Sequence, residues 1–297
     1  MRLGIVGTGL IGTSIGLRAS RLGWDVAAWD ADAANLAAAA ARGAVGTASS
    51  SLTALAQLAD VLVLATPLDA TLAQLAALAA DPPPQAELVL DVASLQAPVA
   101  RAGRTLGVFV ATHPLAGSER SGPAAAHDSL FEGRTWTYDP TAAAEPRARA
   151  VAFIEAMGAY PFAMDSDAHD RVVALTSHLP QLLSVALATQ LGARLDDPQV
   201  GALCGGGIAS MLRLASSSWE MWRPVYARNA PAVAQEVRQL VGILTDAADA
   251  LERGESDALE RAFAAAAEAV ARLAADSPAA GSATTEAPLS GALSNER

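Results

Sequence analysis

The first thirty residues constrain the fold more than any other part of this chain. A short apolar run, Leu3–Val6, leads directly into Gly7-Thr8-Gly9-Leu10-Ile11-Gly12, and a helix-compatible segment follows to about Leu22. A second apolar run ends in Asp30, 23 positions after Gly7. Glycines spaced GxGxxG between a strand and a helix, with an acidic residue after the next strand, predict a unit that binds a dinucleotide.

Each glycine of this pattern has a physical task. Gly7 permits a tight turn, Gly9 leaves room for a pyrophosphate, and Gly12 allows close packing of helix on sheet. The free N–H groups at the helix N-terminus attract the phosphates, and Asp30 accepts hydrogen bonds from a ribose but repels the extra phosphate of NADP. We therefore predict NAD as the cofactor; the alternative is a glycine-rich turn that binds nothing. The predicted cofactor-binding residues are Gly7, Thr8, Gly9, Leu10, Ile11, Gly12, Asp30, Thr66 and Pro67.

Length and charge limit the class of protein. The 297 residues are enough for two domains with buried cores. The net charge of −11 argues against a nucleic-acid partner and requires a few local cations to hold any anionic substrate. The single cysteine, Cys204, excludes a disulfide framework and fits a reducing cytosol, and we expect it to be buried.

No targeting or membrane segment is predicted. The first strand begins at residue 2, which leaves no room for a signal peptide. The most apolar window, residues 61–80, is interrupted by Pro67 and Asp69 and indicates a strand, a turn and a helix. We therefore expect a soluble, cytoplasmic protein with no membrane partner.

Strand-like runs alternate with helical stretches in the first half, which predicts an α/β fold with a doubly wound parallel sheet. The predicted strands are Leu3–Val6, Asp25–Trp29, Val61–Ala65, Leu88–Val92, Val108–Thr112, Gly133–Asp139 and Tyr160–Met164. Long helical runs follow, with a kink expected at Pro180. We predict an NAD-binding Rossmann domain over residues 1–166, an all-α substrate and dimerisation domain over 167–275, and a disordered tail over 276–297.

Three polar segments interrupt runs that otherwise look buried. Ser94 follows the fourth large strand, His113 follows the fifth, and His178 lies beside Pro180 in the first long helix. Ligands of doubly wound sheets bind outside the carboxyl ends of the strands, so Ser94 and His113 are placed for chemistry. His127 and His169 have charged neighbours and are expected to be exposed.

The strings HPLAGSE (residues 113–119) and TSHLP (residues 176–180) and the GxGxxG opening resemble the prephenate and arogenate dehydrogenases of tyrosine biosynthesis. Arg213, nine residues before Trp222, fits the same pattern. The resemblance implies a Rossmann domain followed by a helical domain that forms a homodimer. It also implies NAD-dependent oxidative decarboxylation of prephenate to 4-hydroxyphenylpyruvate, or of arogenate to tyrosine.

The resemblance also implies residue roles. His113 accepts the hydroxyl proton, and Ser94 hydrogen-bonds this imidazole or the substrate hydroxyl. Arg213 pairs with a substrate carboxylate, His178 lies at the substrate side chain, and Glu119 organises or gates the pocket. Two positions depart from the family pattern and remove positive charge: Gln96 replaces a lysine found in many members, and Ala209 replaces a basic residue found in some.

Structural alternatives remain for these residues. Ser94 could cap a helix, Glu119 could pair with Arg120 at the surface, and Arg213 could extend from a helix face. Trp219 and Trp222 fit core or interface packing better than substrate contact.

Two rival functions also remain open. One is a non-catalytic NAD-binding regulator. The other is a hydroxyacid dehydrogenase of Rossmann-plus-helical type, which needs a catalytic lysine, whereas this chain contains no lysine. The pattern predicts no metal site.

Overall fold

A computed structural model of the chain describes residues 1–80, 85–117 and 120–276. It divides into two compact units, Met1–Ile243 and Leu244–Arg297. The tail expected from residue 276 lies outside the described residues, apart from Asp276 itself, which ends the last helix. The domain boundary between residues 166 and 167 stays a prediction.

The first unit is built on a six-stranded parallel sheet, which confirms the doubly wound fold. Across the sheet the strands follow the order β3 (Thr47–Ala48), β2 (Asp25–Trp29), β1 (Arg2–Val6), β4 (Val61–Leu64), β5 (Leu88–Asp91) and β6 (Phe109–Val110). The chain reverses direction across the sheet between β1 and β4, where ligands of such folds bind. The two-residue strand β3 was not predicted. The elements are β1 (Arg2–Val6), α1 (Leu10–Arg21), β2 (Asp25–Trp29), α2 (Ala33–Ala41), β3 (Thr47–Ala48), α3 (Leu52–Ala56), β4 (Val61–Leu64), α4 (Leu68–Ala80), β5 (Leu88–Asp91), α5 (Ala97–Gly103) and β6 (Phe109–Val110).

Apolar cores cover both faces of this sheet. Leu3 and Ile5 of β1 pack on one face with α1, while Val6 of the same strand packs on the other face with α3 and α4. Every residue of β4 and β5 is buried, as expected for strands covered by helices on both sides. Helices rich in alanine can lie close to the sheet because the alanine side chain is a single methyl group.

The predicted strand Val108–Thr112 is wrong in one respect, because the chain leaves the parallel sheet at Ala111. Asp139 donates its backbone N–H to the Ala111 carbonyl, and the Thr112 N–H bonds the carboxylate of Asp91 at 3.0 Å instead of continuing the ladder. The residues beyond form a separate strand. His113 therefore lies within a second, three-stranded sheet rather than at the end of a parallel strand.

This second sheet has the strand order β7 (Thr112–Pro114), β8 (Thr135–Tyr138) and β9 (Tyr160–Ala163). It confirms the two further strands expected near residues 133–139 and 160–164. The β7–β8 pair is antiparallel and places His113 opposite Thr137, whereas the β8–β9 pair is parallel. Its strands and the intervening helix are β7 (Thr112–Pro114), β8 (Thr135–Tyr138), α6 (Ala144–Ala156) and β9 (Tyr160–Ala163).

The described residues from Ser166 to Asp276 are mostly helical, as predicted. Helix α7 (Ser166–Val173) continues through a π-turn, Ala174–His178, into α8 (Leu179–Gly192). The distortion expected at Pro180 is therefore this π-turn, which ends just before the proline. In α11 the backbone departs from helical geometry at Asn229, between two prolines. The helices are α7 (Ser166–Val173), α8 (Leu179–Gly192), α9 (Pro198–Ala202), α10 (Gly206–Leu212), α11 (Trp219–Arg253) and α12 (Ser256–Asp276).

The second unit contains the end of α11 and α12, joined by a turn at Gly254, whose φ of 68° is left-handed. Several large apolar side chains of this unit are more than half exposed: Leu244, Leu251, Phe263, Val270 and Leu273.

One helical stretch of the described residues, Ser166–Gly192, has the length and apolar composition of a membrane-crossing helix, and 28% of its most apolar window is buried. Core helices of globular proteins meet the same criterion, so the feature is weak evidence for a span. The stretch at residues 61–80 forms β4, a turn and α4, as expected from Pro67 and Asp69.

Candidate active site

The glycine-rich loop between β1 and α1 has the geometry of a pyrophosphate cradle. Gly7 has a φ of 93°, and a Cβ at that position would lie 2.5 Å from the Ala65 carbonyl oxygen. A Cβ at Gly12 would lie 2.0 Å from the Gly7 carbonyl oxygen, whereas a Cβ at Gly9 would meet nothing within 4 Å. Gly9 caps α1 without a side-chain hydrogen bond, so the helix N-terminus presents its N–H groups to this open space.

Asp30 lies beside this loop at the end of β2. Its Oδ2 accepts hydrogen bonds from the Thr8 backbone N–H (2.6 Å) and the Thr8 hydroxyl (2.7 Å), and its Oδ1 accepts one from the Asp32 N–H. These contacts orient the carboxylate next to the glycine loop, where a dinucleotide ribose fits.

Thr66 and Pro67 follow β4, the strand on the other side of β1. The Thr66 side chain lies close to Gly7, since a Cβ at Gly7 would approach its Cγ2 at 2.7 Å. The Thr66 hydroxyl also bonds the side chains of Thr71 and Gln74 in α4. Both residues therefore line the crevice at the point where the strand order reverses.

His113 is the first member of a buried hydrogen-bonded chain. Its Nδ1 lies 3.0 Å from Nε2 of His169, and Nδ1 of His169 lies 2.9 Å from Oδ1 of Asp170. The two imidazoles meet edge to face, with ring centroids 5.2 Å apart. Among the described residues, Nε2 of His113 makes no hydrogen bond, so this nitrogen is the one available to a ligand.

The expectation that His169 is exposed is wrong, since it is 1% exposed. Its charged neighbours in the sequence misled the prediction, because α7 has a buried side despite its polar composition. Ser166, His169, Asp170 and Val173 are all buried, at the three- and four-residue spacing of one helix face. That spacing is the signal that could have identified His169. His127 is exposed, as predicted.

Asp170 is held in place from two other helices. Its two oxygens accept hydrogen bonds from the backbone N–H groups of Gln96 (2.8 Å) and Ala97 (3.0 Å) at the start of α5. The Asn229 side chain donates to its backbone carbonyl at 2.7 Å from the distorted turn of α11. Asp170 and Asn229 were not identified from the sequence.

His178 is buried in an aromatic environment. Its ring contacts Trp222 edge to face, and Trp222 stacks on Tyr226 with centroids 5.5 Å apart. Its Nδ1 lies 3.3 Å from Nδ2 of Asn229, so Asn229 contacts both histidine-bearing segments of the helix. The π-turn ends at His178, whose carbonyl accepts a hydrogen bond from the Tyr226 hydroxyl.

Burial keeps both imidazoles neutral. It lowers the pKa of His113 to about 3, and the neighbouring rings of His169 and His178 also disfavour a second positive charge there. Burial also lowers the pKa of His178 to about 4, against an opposing contribution from Asp170. Each ring is therefore uncharged at neutral pH and carries one unprotonated nitrogen.

Asp91 is a buried carboxyl at the end of β5. Burial raises its pKa to about 7, although the N–H groups of Thr112 and Ala93 oppose this by bonding its oxygens. The Thr112 hydroxyl bonds the Asp91 carbonyl and accepts a hydrogen bond from Trp136. Asp91 thus joins β5 to β7 and fixes the strand that carries His113.

Ser94 and Gln96 lie between β5 and α5. Ser94 is half-buried, and within the described residues its hydroxyl makes no hydrogen bond to His113, whose Nδ1 bonds His169 instead. Gln96 is fully buried; its amide donates to Thr137, whose hydroxyl donates to the His113 carbonyl. Gln96 therefore supports the backbone of His113 without adding the charge of a lysine.

Arg213 opens a short 3₁₀ turn after α10 and is exposed. Two hydrogen bonds from α8 hold this segment: Gln181 donates to the Leu214 carbonyl and Ser184 to the Met211 carbonyl. Arg213 is thereby held beside the helix that begins next to His178. Glu119 lies outside the described residues.

The burial of two tryptophans and of the single cysteine was also predicted. Trp222 packs against the apolar core that contains Val6, as predicted, whereas Trp219 is 62% exposed and its packing at an interface stays a prediction. Cys204 was expected to be buried and is exposed, because it follows the short helix α9 at the surface. In the part of the chain that the structure describes, no group of three histidine, cysteine or acidic residues could hold a metal ion.

A parallel sheet of this strand order with a pyrophosphate cradle at its switch point defines a dinucleotide-binding protein of the dehydrogenase class. Two family models match the chain: "Prephenate dehydrogenase, nucleotide-binding domain" over residues 15–160 and "Prephenate dehydrogenase, dimerization domain" over residues 165–265. The chain belongs to the prephenate dehydrogenase family.

Individual relatives agree with this assignment. A probable prephenate dehydrogenase of Streptomyces niveus, NovF, is 34% identical over 267 residues, which cover 83% of this chain and 68% of the relative. The solved structure of Synechocystis arogenate dehydrogenase is 25% identical, with a TM-score of 0.78 over 92% of this chain and 99% of that one. Prephenate dehydrogenase from A. aeolicus, solved with hydroxyphenyl propionate and NAD+, shares the fold at a TM-score of 0.83 and 23% identity, over 93% of this chain and 98% of that one.

Proposed function

We propose that this protein catalyses the NAD-dependent oxidative decarboxylation of prephenate to 4-hydroxyphenylpyruvate, or of arogenate to tyrosine. The observation that carries the proposal is His113, a neutral imidazole with one nitrogen held by His169 and the other unbonded among the described residues. The proposal is also supported by membership of the prephenate dehydrogenase family and by the glycine-rich loop that can hold a dinucleotide.

In the proposed reaction His113 accepts the proton of the ring hydroxyl at Nε2. NAD, when bound at the glycine-rich loop, would supply the hydride acceptor for the carbon that carries this hydroxyl, and the alcohol would become a carbonyl. The ring carboxylate then leaves as CO2, and its bonding electrons move through the ring to the carbonyl oxygen as the ring becomes aromatic. His113 returns its proton to this oxygen, which gives the phenol and restores the neutral imidazole. General base catalysis by a positioned imidazole contributes about 10²- to 10⁴-fold to such a step.

We assign the other residues of the family pattern to contacts with the substrate. Arg213 offers a planar guanidinium that can hold a carboxylate through two hydrogen bonds. His178, neutral among aromatic rings, is placed at the substrate side chain, and Ser94 at the substrate hydroxyl. Glu119 is proposed to organise the entrance of the pocket.

Asp30 supports NAD over NADP. Its carboxylate already accepts three hydrogen bonds beside the glycine loop, and a ribose hydroxyl can replace the Thr8 hydroxyl as donor. The 2′-phosphate of NADP would place a second anion against this carboxylate.

We further propose that the protein acts as a cytoplasmic homodimer, with the helical segment from residue 167 as its dimerisation domain. The matching family model describes a dimerization domain over residues 165–265. The exposed apolar side chains of the second unit, including Phe263 and Leu273, are the kind of surface that a partner subunit covers.

The decisive assay mixes the protein with NAD and either prephenate or arogenate and follows the absorbance of NADH. Turnover of one substrate supports the proposal and identifies which acid is preferred. NAD binding without turnover of either would instead support a non-catalytic regulator. A hydroxyacid dehydrogenase of the lysine-dependent type is disfavoured because the chain has no lysine.

A further inference from the structure

We propose that His169 and Asp170 are positioning residues that fix the tautomer of His113, so that its Nε2 carries the lone pair facing the substrate. This inference rests on the proposed role of His113. Neither residue was identified by the motifs of the sequence, and both act through His113 rather than on the substrate.

The assignment follows from the order of donors and acceptors. The carboxylate of Asp170 accepts hydrogen bonds from the backbone N–H groups of Gln96 and Ala97. Nδ1 of His169 is the third nitrogen within hydrogen-bond distance of its oxygens. A carboxylate surrounded by donors acts only as an acceptor, so His169 carries its proton on Nδ1. The Nε2 of a neutral His169 is then an acceptor.

His113 is the next member of this hydrogen-bonded chain. Since Nε2 of His169 accepts, Nδ1 of His113, 3.0 Å away, must donate. A neutral His113 then has its proton on Nδ1 and a lone pair on Nε2, as a base at this position requires. The reversed chain would protonate Nε2 and leave no base for the substrate hydroxyl.

The surrounding structure holds this chain in place. The two N–H groups that hold Asp170 belong to the start of α5, and Asn229 ties the Asp170 backbone to α11. His169 is 1% exposed, so water competes little for its nitrogens. When His113 becomes an imidazolium, its Nδ1–H remains bonded to His169, which stabilises the developing charge.

The first test is Asp170→Asn. Oδ1 of Asp170 accepts hydrogen bonds from both Gln96 N–H and Nδ1 of His169, so an asparagine amide nitrogen at this position loses the Gln96 bond and can donate to His169. This would reverse the chain and place the His113 proton on Nε2, as replacement of an acidic partner does in serine-protease triads. We expect kcat to fall at least about 100-fold, with the affinity for NAD unchanged.

A matched pair of variants separates this role from a purely structural one. In His169→Gln the side-chain carbonyl can replace Nε2 as the acceptor for His113, whereas in His169→Asn the shorter amide reaches Asp170 but not His113. We expect His169→Gln to keep kcat within about tenfold of the wild type and His169→Asn to lose about 100-fold or more. Equal losses in both variants, or none in either, would overturn the inference.

Nuclear magnetic resonance reads the tautomer without relying on activity. In ¹⁵N-labelled protein without substrate, two-bond nitrogen–proton correlations distinguish protonated from unprotonated ring nitrogens, and His113→Asn identifies the His113 signals. We expect the Nδ1–H form in the wild type and the Nε2–H form in Asp170→Asn. An Nε2–H form in an active wild-type enzyme would refute the inference and leave the proposed function standing, whereas an Nδ1–H form without turnover would do the reverse.

Discussion

Nδ1 of His113 lies 3.0 Å from Nε2 of His169, and the second histidine continues to Asp170. The pair joins a strand of the small sheet to a helix that follows it by more than fifty residues. The catalytic imidazole of the proposed reaction is thus held from the helical segment, while the nucleotide cradle belongs to the parallel sheet. Hydrogen bonding across this junction, rather than the motif around His113, sets the orientation of the ring.

Cofactor selectivity is expected to depend on Asp30. Replacement by serine removes the charge that repels a 2′-phosphate, so Asp30→Ser should raise kcat/KM with NADP relative to NAD. The comparison is made with both cofactors in the same assay, and Asp32→Ser, two residues further along, serves as a nearby acidic control. If the ratio of the two cofactors stays unchanged in Asp30→Ser, the assignment of Asp30 to the ribose is wrong.

Substrate recognition is expected to depend on Arg213. Arg213→Ala removes a bidentate partner that binds the ground state and the transition state alike, so KM for the substrate should rise with little change in kcat. Steady-state kinetics with saturating NAD measures both constants, and Arg171→Ala, an exposed arginine of α7, is the control. A fall in kcat with KM unchanged would contradict the carboxylate-binding role.

The stability of the fold should decrease in mild acid. His113 and His178 stay neutral in the folded state down to pH values of about 3 and 4, whereas in the unfolded chain they are protonated below their ordinary pKa of 6.5. Their contribution to the free energy of unfolding is therefore complete above pH 6.5 and is lost as the pH falls. Asp91 acts in the opposite direction, since its pKa is raised from 3.8 to about 7 and its contribution is lost as the pH rises.

Between about pH 4 and 6.5, unfolding lets His113 and His178 each bind a proton, whereas Asp91 releases one. The net change is the uptake of one proton on unfolding. As the pH is lowered through this window, the free energy of unfolding should therefore decrease by about 1.4 kcal/mol per pH unit. In His178→Asn one histidine is removed and the slope should approach zero, while His127→Asn, at an exposed position, should keep the slope of the wild type. Urea unfolding at pH 4.5, 5.5 and 6.5 measures this, and a steeper slope in His178→Asn would exclude the explanation.

The large parallel sheet could be predicted from sequence because its signals are local. The apolar runs that form β1, β2, β4 and β5 are bounded by glycine, proline and polar residues within a few positions. The GxGxxG spacing likewise identifies the cradle, because the steric requirement at Gly7 and Gly12 comes from their own loop and from the adjacent strand.

The parts that could not be predicted depend on contacts distant in sequence. The strand expected over residues 108–112 divides because the carboxylate of Asp91, 21 residues earlier, takes the N–H of Thr112. His169 was expected to be exposed because its neighbours are charged. One of these neighbours, Asp170, is instead buried, because its carboxylate accepts hydrogen bonds from backbone N–H groups at the start of α5. The candidate site was therefore predicted at His113 and His178 but not at the residues that hold them.

The most direct test of the account is the rate of NADH formation by His113→Asn compared with the wild type, with the preferred substrate and saturating NAD. Asparagine has nearly the same polarity but no basic nitrogen, so we expect kcat to fall about 10²-fold or more while the dissociation constant for NAD stays the same. His127→Asn, at an exposed histidine, should match the wild type. A His113→Asn enzyme that turns over at the wild-type rate would contradict the proposal that this imidazole is the base.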